Sequence, residues 1–485
     1  MIFINGQWQP GRGAAFTSIN PSDQKIIWQG EAANEVDVHQ AVSAASKAFF
    51  AWSITLLAER IDRLKKMQAL IKENAPALAQ CFSQETGKTL WECEMEAQSM
   101  VTKFDISFEA YQQRSGEVKK NIDTYQLHVR HRPLGVLAIF VPFNFPGHLF
   151  NTHVVPALLA GNTVVIKPSE QTPKSAQLII KLWQKVGLPD GVINLVQGAG
   201  ETGLALASHT DLAGICFTGS FKVGQLLHRQ LAGQTDKMLV LEMGGNNPLI
   251  VADVEDLDLA VLTIIQSSFI SAGQRCTCTR RLIVIENELS DRLIEKLTEK
   301  VKRIRVNYPN TTPQPFMGPV ISATAGVQVL AQQHALQKLG GRSLLITQAL
   351  DSGNPALLAP GLIDMTGINA PDEEIFGPLL QIFRVKDLDA AIQLANNTQY
   401  GLTAGILSDD SVSYETFFNR ARAGTVNWNR PTTGISGIAP FGGLGHSGNF
   451  RPTGYYAADY CVYPVTSLES TRLQSNAHLP PGLED

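Results

Sequence analysis

Val136-Leu137-Ala138-Ile139-Phe140-Val141-Pro142-Phe143-Asn144-Phe145-Pro146 is the stretch that decides the fold. It opens as a short, continuous apolar run, which predicts a strand covered on both faces. Similar runs return at Thr163-Val164-Val165-Ile166, Val192-Ile193-Asn194-Leu195-Val196, Gly214-Ile215-Cys216-Phe217 and Met238-Leu239-Val240-Leu241. Helical stretches separate them, and that alternation predicts a parallel sheet with helices on both sides, an α/β fold. Ligands of such sheets bind beyond the carboxyl ends of the strands. Those ends carry Asn144 between two prolines, Lys167-Pro168-Ser169-Glu170, Gln197-Gly198, Thr218-Gly219-Ser220 and Glu242-Met243-Gly244-Gly245. Charged and amide groups collect at one edge of the sheet, which marks it as a site.

Two glycine patterns compete for a phosphate. Gly198-Ala199-Gly200-Glu201-Thr202-Gly203 fits G-x-G-x-x-G, yet the acid expected about twenty residues on is replaced by Phe217-Thr218-Gly219. Gly219-Ser220-Phe221-Lys222-Val223-Gly224 is the better cradle. It closes a strand, offers a hydroxyl and leads into a helix over Val223–Leu231, whose amides favour an anion. The acid for a ribose is then Glu170, beside Lys167 on an adjacent strand end. A third pattern, Gly443-Leu444-Gly445-His446-Ser447-Gly448, is followed by Pro452 and is a loop.

Upstream, residues 1–30 suggest short strands with turns at Asn5-Gly6 and Asn20-Pro21. Helical spacing predicts helices over Val36–Trp52, from Leu57 to Ile71, and from Pro76 to Gly87. Gly87-Lys88-Thr89 imitates the end of a P-loop but lacks its first glycine, since Phe82 holds that place. Residues 117–133 alternate through Ile122, Tyr125, Leu127 and Val129, as an extended hairpin that leaves its domain to pair elsewhere.

The second half begins near Asn246 with another β/α region. There Gly273-Gln274-Arg275-Cys276-Thr277-Cys278 joins the apolar runs 261–265 and 282–285. A thiol at such a sharp connection is placed to be a nucleophile, and the field of Arg275 and nearby amides is expected to favour the thiolate. A charged amphipathic helix is predicted over 286–305. The acidic loop Glu373-Glu374-Ile375-Phe376-Gly377-Pro378 precedes a strand over Leu379–Phe383, and a last strand is predicted at 461–466.

At 485 residues the chain exceeds one core and should divide into domains. With 44% hydrophobic and 17% charged residues and a net charge of −4, it has the composition of a globular protein with no basic footprint for nucleic acid or membrane. The start, Met1-Ile2-Phe3-Ile4-Asn5-Gly6, lacks a signal-peptide pattern, and no apolar run reaches membrane-span length. Six scattered cysteines fit a reducing compartment, so a cytoplasmic enzyme is expected. Cys276-Thr277-Cys278 has no second ligand pair nearby, and no metal is expected.

Phe143-Asn144-Phe145-Pro146, Lys167-Pro168-Ser169-Glu170, Phe217-Thr218-Gly219-Ser220, Leu241-Glu242-Met243-Gly244-Gly245, Gly273-Gln274-Arg275-Cys276, Glu374-Ile375-Phe376-Gly377-Pro378 and Pro440-Phe441-Gly442-Gly443 occur in the order and approximate spacing of the NAD(P)-dependent aldehyde dehydrogenases. The chain resembles that family from its first strands to about Val465. Segments 427–434, 455–461 and 274–278 look most like the branch acting on N-succinylglutamate 5-semialdehyde in bacterial arginine degradation.

The resemblance implies a Rossmann-like NAD-binding domain (1–116 and 135–245), an α/β catalytic domain (246–450) and a small β oligomerisation arm (117–134 and 451–485). A homodimer or homotetramer follows. It implies Cys276 as nucleophile, Asn144 with the Cys276 N–H as oxyanion donors, and Glu242 as the base that activates water, its pKa raised by apolar neighbours. NAD is the implied cofactor. Lys167 and Glu170 would hold the adenosine ribose, Gly219, Ser220 and Gly224 the pyrophosphate, Glu374 the nicotinamide ribose, and Phe376 would lie against the ring. Glu170 would repel a 2′-phosphate and so favours NAD over NADP. The implied substrate carries two carboxylates besides its aldehyde, for which Arg275, Arg430 and, more weakly, His148 are candidates. Asn246-Asn247 stands where many relatives have a lysine, which removes a positive charge near Glu242. Other acidic semialdehydes (glutamate or succinate semialdehyde), a coenzyme-A-dependent reaction and a non-catalytic scaffold are the competing readings.

Overall fold

A computed structural model describes residues 1–123, 125–473 and 481–483. The apolar runs of the first half form one sheet ordered Met238–Met243, Leu212–Gly219, Val136–Val141, Thr163–Pro168 and Ile193–Leu195, all parallel. Ile139 pairs with Ile166 on one side and Cys216 on the other. Side chains alternate between two cores. Leu137, Ile139 and Val141 pack with Leu64, Phe150 and Trp183, while Val136, Ala138 and Phe140 pack with Val38, Ala41 and Leu206. A strand buried on both faces has no polar phase, which is why its sequence shows none. The N-terminal strands Ile2–Ile4 and Gln7–Gln9 extend this sheet antiparallel at its far edge.

A second sheet runs Arg342–Leu345, Gly361–Asp364, Leu379–Val385, Thr279–Ile285, Asn247–Val251, Thr403–Leu407 and Thr425–Trp428. It is parallel except for its first pair. The chain crosses from one sheet to the other between Met243 and Asn247. A third, small sheet contains the hairpin Val118–Ile122 and Tyr125–Pro133. Its partner is the strand Val462–Glu469 of the same chain, with Val462 opposite Pro133. Within the expected arm, residues 124, 474–480 and 484–485 lie outside the described ones.

Two helices have limits that differ from expectation, and a third was missed. The helix expected from Val223 starts at Phe221, because Ser220 caps it. The charged helix expected over 286–305 spans Ser290–Lys302. Leu90–Arg114, a 25-residue helix, was not foreseen as an element. Among the described residues no helix is long and apolar enough to cross a membrane, and no three His, Cys, Asp or Glu side chains form a metal cluster.

Candidate active site

The strand ends of the first sheet face the second sheet across a cleft of about 1000 Å³, and Asn144, Glu242 and Cys276 all line it. Asn144 is buried, and its Nδ2 donates to the Gln274 carbonyl at 3.0 Å. Its own carbonyl accepts from Lys88 Nζ at 2.7 Å. Lys88 is ion-paired with Glu96, whose other oxygen accepts the N–H groups of Gly147 and His148. The segment that imitates a P-loop therefore braces the Asn144 turn. The role of Lys88 escaped the sequence analysis because Gly87-Lys88-Thr89 was weighed only as a P-loop ending, and Glu96 lies in no recognisable motif.

Cys276 follows a strained turn. Ser271, Ala272 and Gly273 have φ of 55°, 54° and 72°, three successive left-handed residues of which only the glycine is at ease. A Cβ on Gly273 would lie 2.2 Å from the Gly377 carbonyl oxygen, so the turn sits hard against the loop that carries Glu374. Asn247 secures the far side, its Nδ2 donating to the carbonyls of Cys276 (2.7 Å) and Cys278 (2.8 Å). Of the six cysteines Cys276 alone is partly open; the other five are buried.

The expected positive field of Arg275 is corrected by the structure. Arg275 turns away to Ser271 Oγ (2.9 Å) and Glu92 (3.4 Å), lying over the Phe145 ring. Burial pushes the Cys276 thiol well up, with Glu374, Glu242 and Cys278 adding to the effect, and Arg280 is the cation that opposes it. The resting site therefore favours the thiol.

Glu242 is 3% exposed, and its Oε2 has no hydrogen-bond partner. Burial raises its pKa well above the usual carboxylate range, opposed only by the Thr453 backbone N–H. Asn246, at the place of the absent lysine, donates instead to Asp372 at 2.9 Å. Glu242 thus holds its proton more tightly than an exposed carboxylate would.

On the other arm of the cleft, Ser220 Oγ accepts from the Val223 N–H (3.4 Å) and opens the helix Phe221–Gln230. Lys167 is buried, and its Nζ donates to the carbonyls of Pro168 (2.8 Å) and Gly198 (2.7 Å); burial lowers its pKa to about 8. Lys167 so ties the Gly198–Gly203 turn to the strand end, and both glycine patterns border the cleft. Glu170 is half-exposed at the same end. Gly224 departs from expectation. It faces the sheet, where a Cβ would lie 2.3 Å from Met243 Sδ, so it serves close helix–strand packing rather than a ligand.

Glu374 and Phe376 form the floor near Cys276. Glu374 accepts from the Gly245 N–H at 3.2 Å, and Phe376 stands edge-on to Phe143 at 5.9 Å. The cleft thus offers an apolar platform at Val223 and Leu226, exposed by 43% and 55%, a helix N-terminus in the middle and carboxylates at both ends. This donor set fits an adenine, a pyrophosphate and two riboses in sequence.

The three candidate substrate anchors do not line this cleft. Arg275 is committed to Glu92, and Arg430 is exposed beyond the strand Thr425–Trp428. His148 is held neutral, its pKa lowered to about 4 by burial with Lys103, Lys88 and Arg275 nearby, so it cannot act as a cation. Its Nδ1 is buried without a partner.

The sequence profile of the aldehyde dehydrogenase family matches residues 8–466. The N-succinylglutamate 5-semialdehyde dehydrogenase of Serratia proteamaculans is 53% identical over 99% of this chain and 98% of its own. The crystal structure of betaine aldehyde dehydrogenase from Staphylococcus aureus in complex with NAD+ superposes with a TM-score of 0.90 at 27% identity, covering 99% of this chain and 96% of that one. A structure of lactaldehyde dehydrogenase gives a TM-score of 0.91 at 29% identity, over 97% and 99% of the two chains.

Proposed function

The chain belongs to the aldehyde dehydrogenase family, and from that premise we propose that it oxidises N-succinyl-L-glutamate 5-semialdehyde to N-succinyl-L-glutamate with NAD, a step of arginine degradation by the succinyltransferase route. The observation that carries the chemistry is the convergence of one accessible thiol, one side-chain amide and one carboxyl with an unpartnered oxygen on a single dinucleotide-sized cleft.

Cys276 Sγ, once deprotonated, attacks the aldehyde carbon and forms a thiohemiacetal. The developing oxyanion takes hydrogen bonds from the Asn144 amide and the Cys276 N–H, each worth about 3 kcal/mol in the transition state. Bound NAD supplies the acceptor for the hydride that leaves this carbon. The carbon is left as a thioester on Cys276. Glu242, deprotonated at this stage, takes a proton from water, which adds to the thioester carbonyl. Collapse expels the Cys276 thiolate and releases the carboxylic acid. Lys167, Glu170, Gly219, Ser220, Glu374 and Phe376 hold the cofactor, and Glu170 selects NAD over NADP.

The division into an NAD-binding unit (1–116 and 135–245), a catalytic unit (246–450) and an arm (117–134 and 451–485) is part of the proposal. So are a homo-oligomer joined through the arm and a cytoplasmic location. The test is NADH formation with a panel of aldehydes. N-succinylglutamate 5-semialdehyde should exceed glutamate and succinate semialdehydes in kcat/KM by tenfold or more, about the discrimination that one well-made charged contact provides. Equal values across the panel, or a requirement for coenzyme A, would refute the substrate or the hydrolytic step respectively.

A further inference from the structure

Arg280 and Arg281 are neighbours on the strand Thr279–Ile285, so their side chains leave on opposite faces. Arg281 points away from the cleft and is spent on three carbonyls, those of Asn246, Leu394 and Ala395. Arg280 points toward the cleft floor and is 1% exposed. Its Nη2 donates to the Arg275 carbonyl at 3.0 Å and lies 3.7 Å from Glu374 Oε1, while Nη1 reaches the Gly377 carbonyl at 3.4 Å. The guanidinium carbon stands 5.5 Å from the centre of the Phe376 ring. One planar cation thus touches the residue before the nucleophile and three residues of the loop 374–377.

We propose that Arg280 is a positioning residue that locks the loop bearing Cys276 to the loop bearing Glu374 and Phe376, and that its charge offsets Glu374 so that the thiol can ionise. The proposal rests on Cys276 being the nucleophile. A buried arginine is justified only by what it holds, because moving the charge out of water is expensive. Here the Nε is left without a partner, so the fork is spent on the two loops rather than on its own satisfaction. Glu374 is pressed against Gly244, where a Cβ would lie 1.8 Å from Oε2, and has little room to withdraw from the cation. Glu374 and Glu242 line the cleft with Cys276; they and Cys278 disfavour the thiolate further, and Arg280 favours it. The Arg280–Glu374 pair, 3.7 Å apart, is the charge balance that joins the two loops beside the sulfur.

The experiment follows the pH dependence of iodoacetamide alkylation of the full-length protein without NAD, beside KM for NAD and Tm. Only Cys276 is open among the six cysteines, and Cys276→Ala identifies its signal. Arg280→Met should move the alkylation midpoint up by about one pH unit, and raise KM for NAD about tenfold, the worth of one charged hydrogen bond. Glu374→Gln should move the midpoint down, and the double variant should return it toward the parent value, the signature of a coupled pair. Arg280→Lys keeps the charge but loses the fork, so KM should rise with the midpoint held. A Glu374→Gln midpoint that stays at the parent value overturns the proposal whether or not Arg280→Met folds. Absence of any Cys276 labelling would instead refute the nucleophile itself.

Discussion

Glu242 must be a base in one step, yet burial favours its protonated form, and one of its oxygens is unpartnered. A raised folded pKa means that stability is fully present below the unfolded value, near 4.5, and is lost as pH rises through the folded pKa. Glu242→Gln should therefore have a higher Tm than the parent at neutral and alkaline pH, and the gain should vanish below about pH 4.5; melting across that range checks it. Burial raises both Cys276 and Glu242, so the parent kcat should climb on the alkaline side of neutrality, and a profile already flat below pH 7 would contradict the electrostatics. Asn144, Glu242 and Cys276 were legible in the sequence because each sits at a strand end or sharp turn within a recognisable motif. The roles of the two arginines were not. Left-handed backbone at Ser271, Ala272 and Gly273 turns Arg275 toward Glu92, and no one-dimensional pattern reports such a reversal.

The helix Leu90–Arg114 shows what hides an element from a periodicity argument. Its buried face carries Glu92, Glu96 and Lys103 among its apolar residues, so the stripe that should announce it is interrupted by charge. Those charges brace the site: Glu96 with Lys88 supports the Asn144 turn, and Glu92 takes Ser271 and Arg275. Removing one partner of a buried pair leaves the other uncompensated, at about 3–5 kcal/mol. Lys88→Met should lower Tm clearly and reduce kcat by about one to two orders of magnitude through a displaced oxyanion donor. KM for NAD should stay near the parent value, because the cofactor side does not contact Lys88. Steady-state kinetics beside a thermal melt separate these outcomes; a loss confined to KM for NAD would contradict the bracing role. The helices Ala75–Thr86 and Glu35–Ser53 were readable, one stopped by Gly87 at φ 75°, the other opened by the Asn34–Asp37 capping box.

Two largely parallel sheets meet with their strand ends across one cleft, and the first of them was legible because fully buried strands leave continuous apolar runs. The partner of the extended hairpin was harder to see, since Val462–Glu469 lies more than 300 residues away and pairs by register alone. Its outer strand, Val118–Ile122, ends the three-stranded sheet with an exposed edge, the feature a second subunit would cover. Ending the chain after Cys461 should leave Tyr125–Pro133 paired with Val118–Ile122 alone and shift the proposed oligomer to a smaller assembly in sedimentation; an unchanged mass would contradict assembly through the arm. Cys276 and Glu242 divide the labour, Cys276 taking the aldehyde through oxidation and Glu242 releasing the acid. Rapid mixing of Glu242→Ala with NAD and the semialdehyde, followed by intact-mass analysis, tests it most directly. The variant should give a burst of about one NADH per active site and then stall with the acyl group on Cys276; no burst, or steady turnover at the parent rate, would rule this division out.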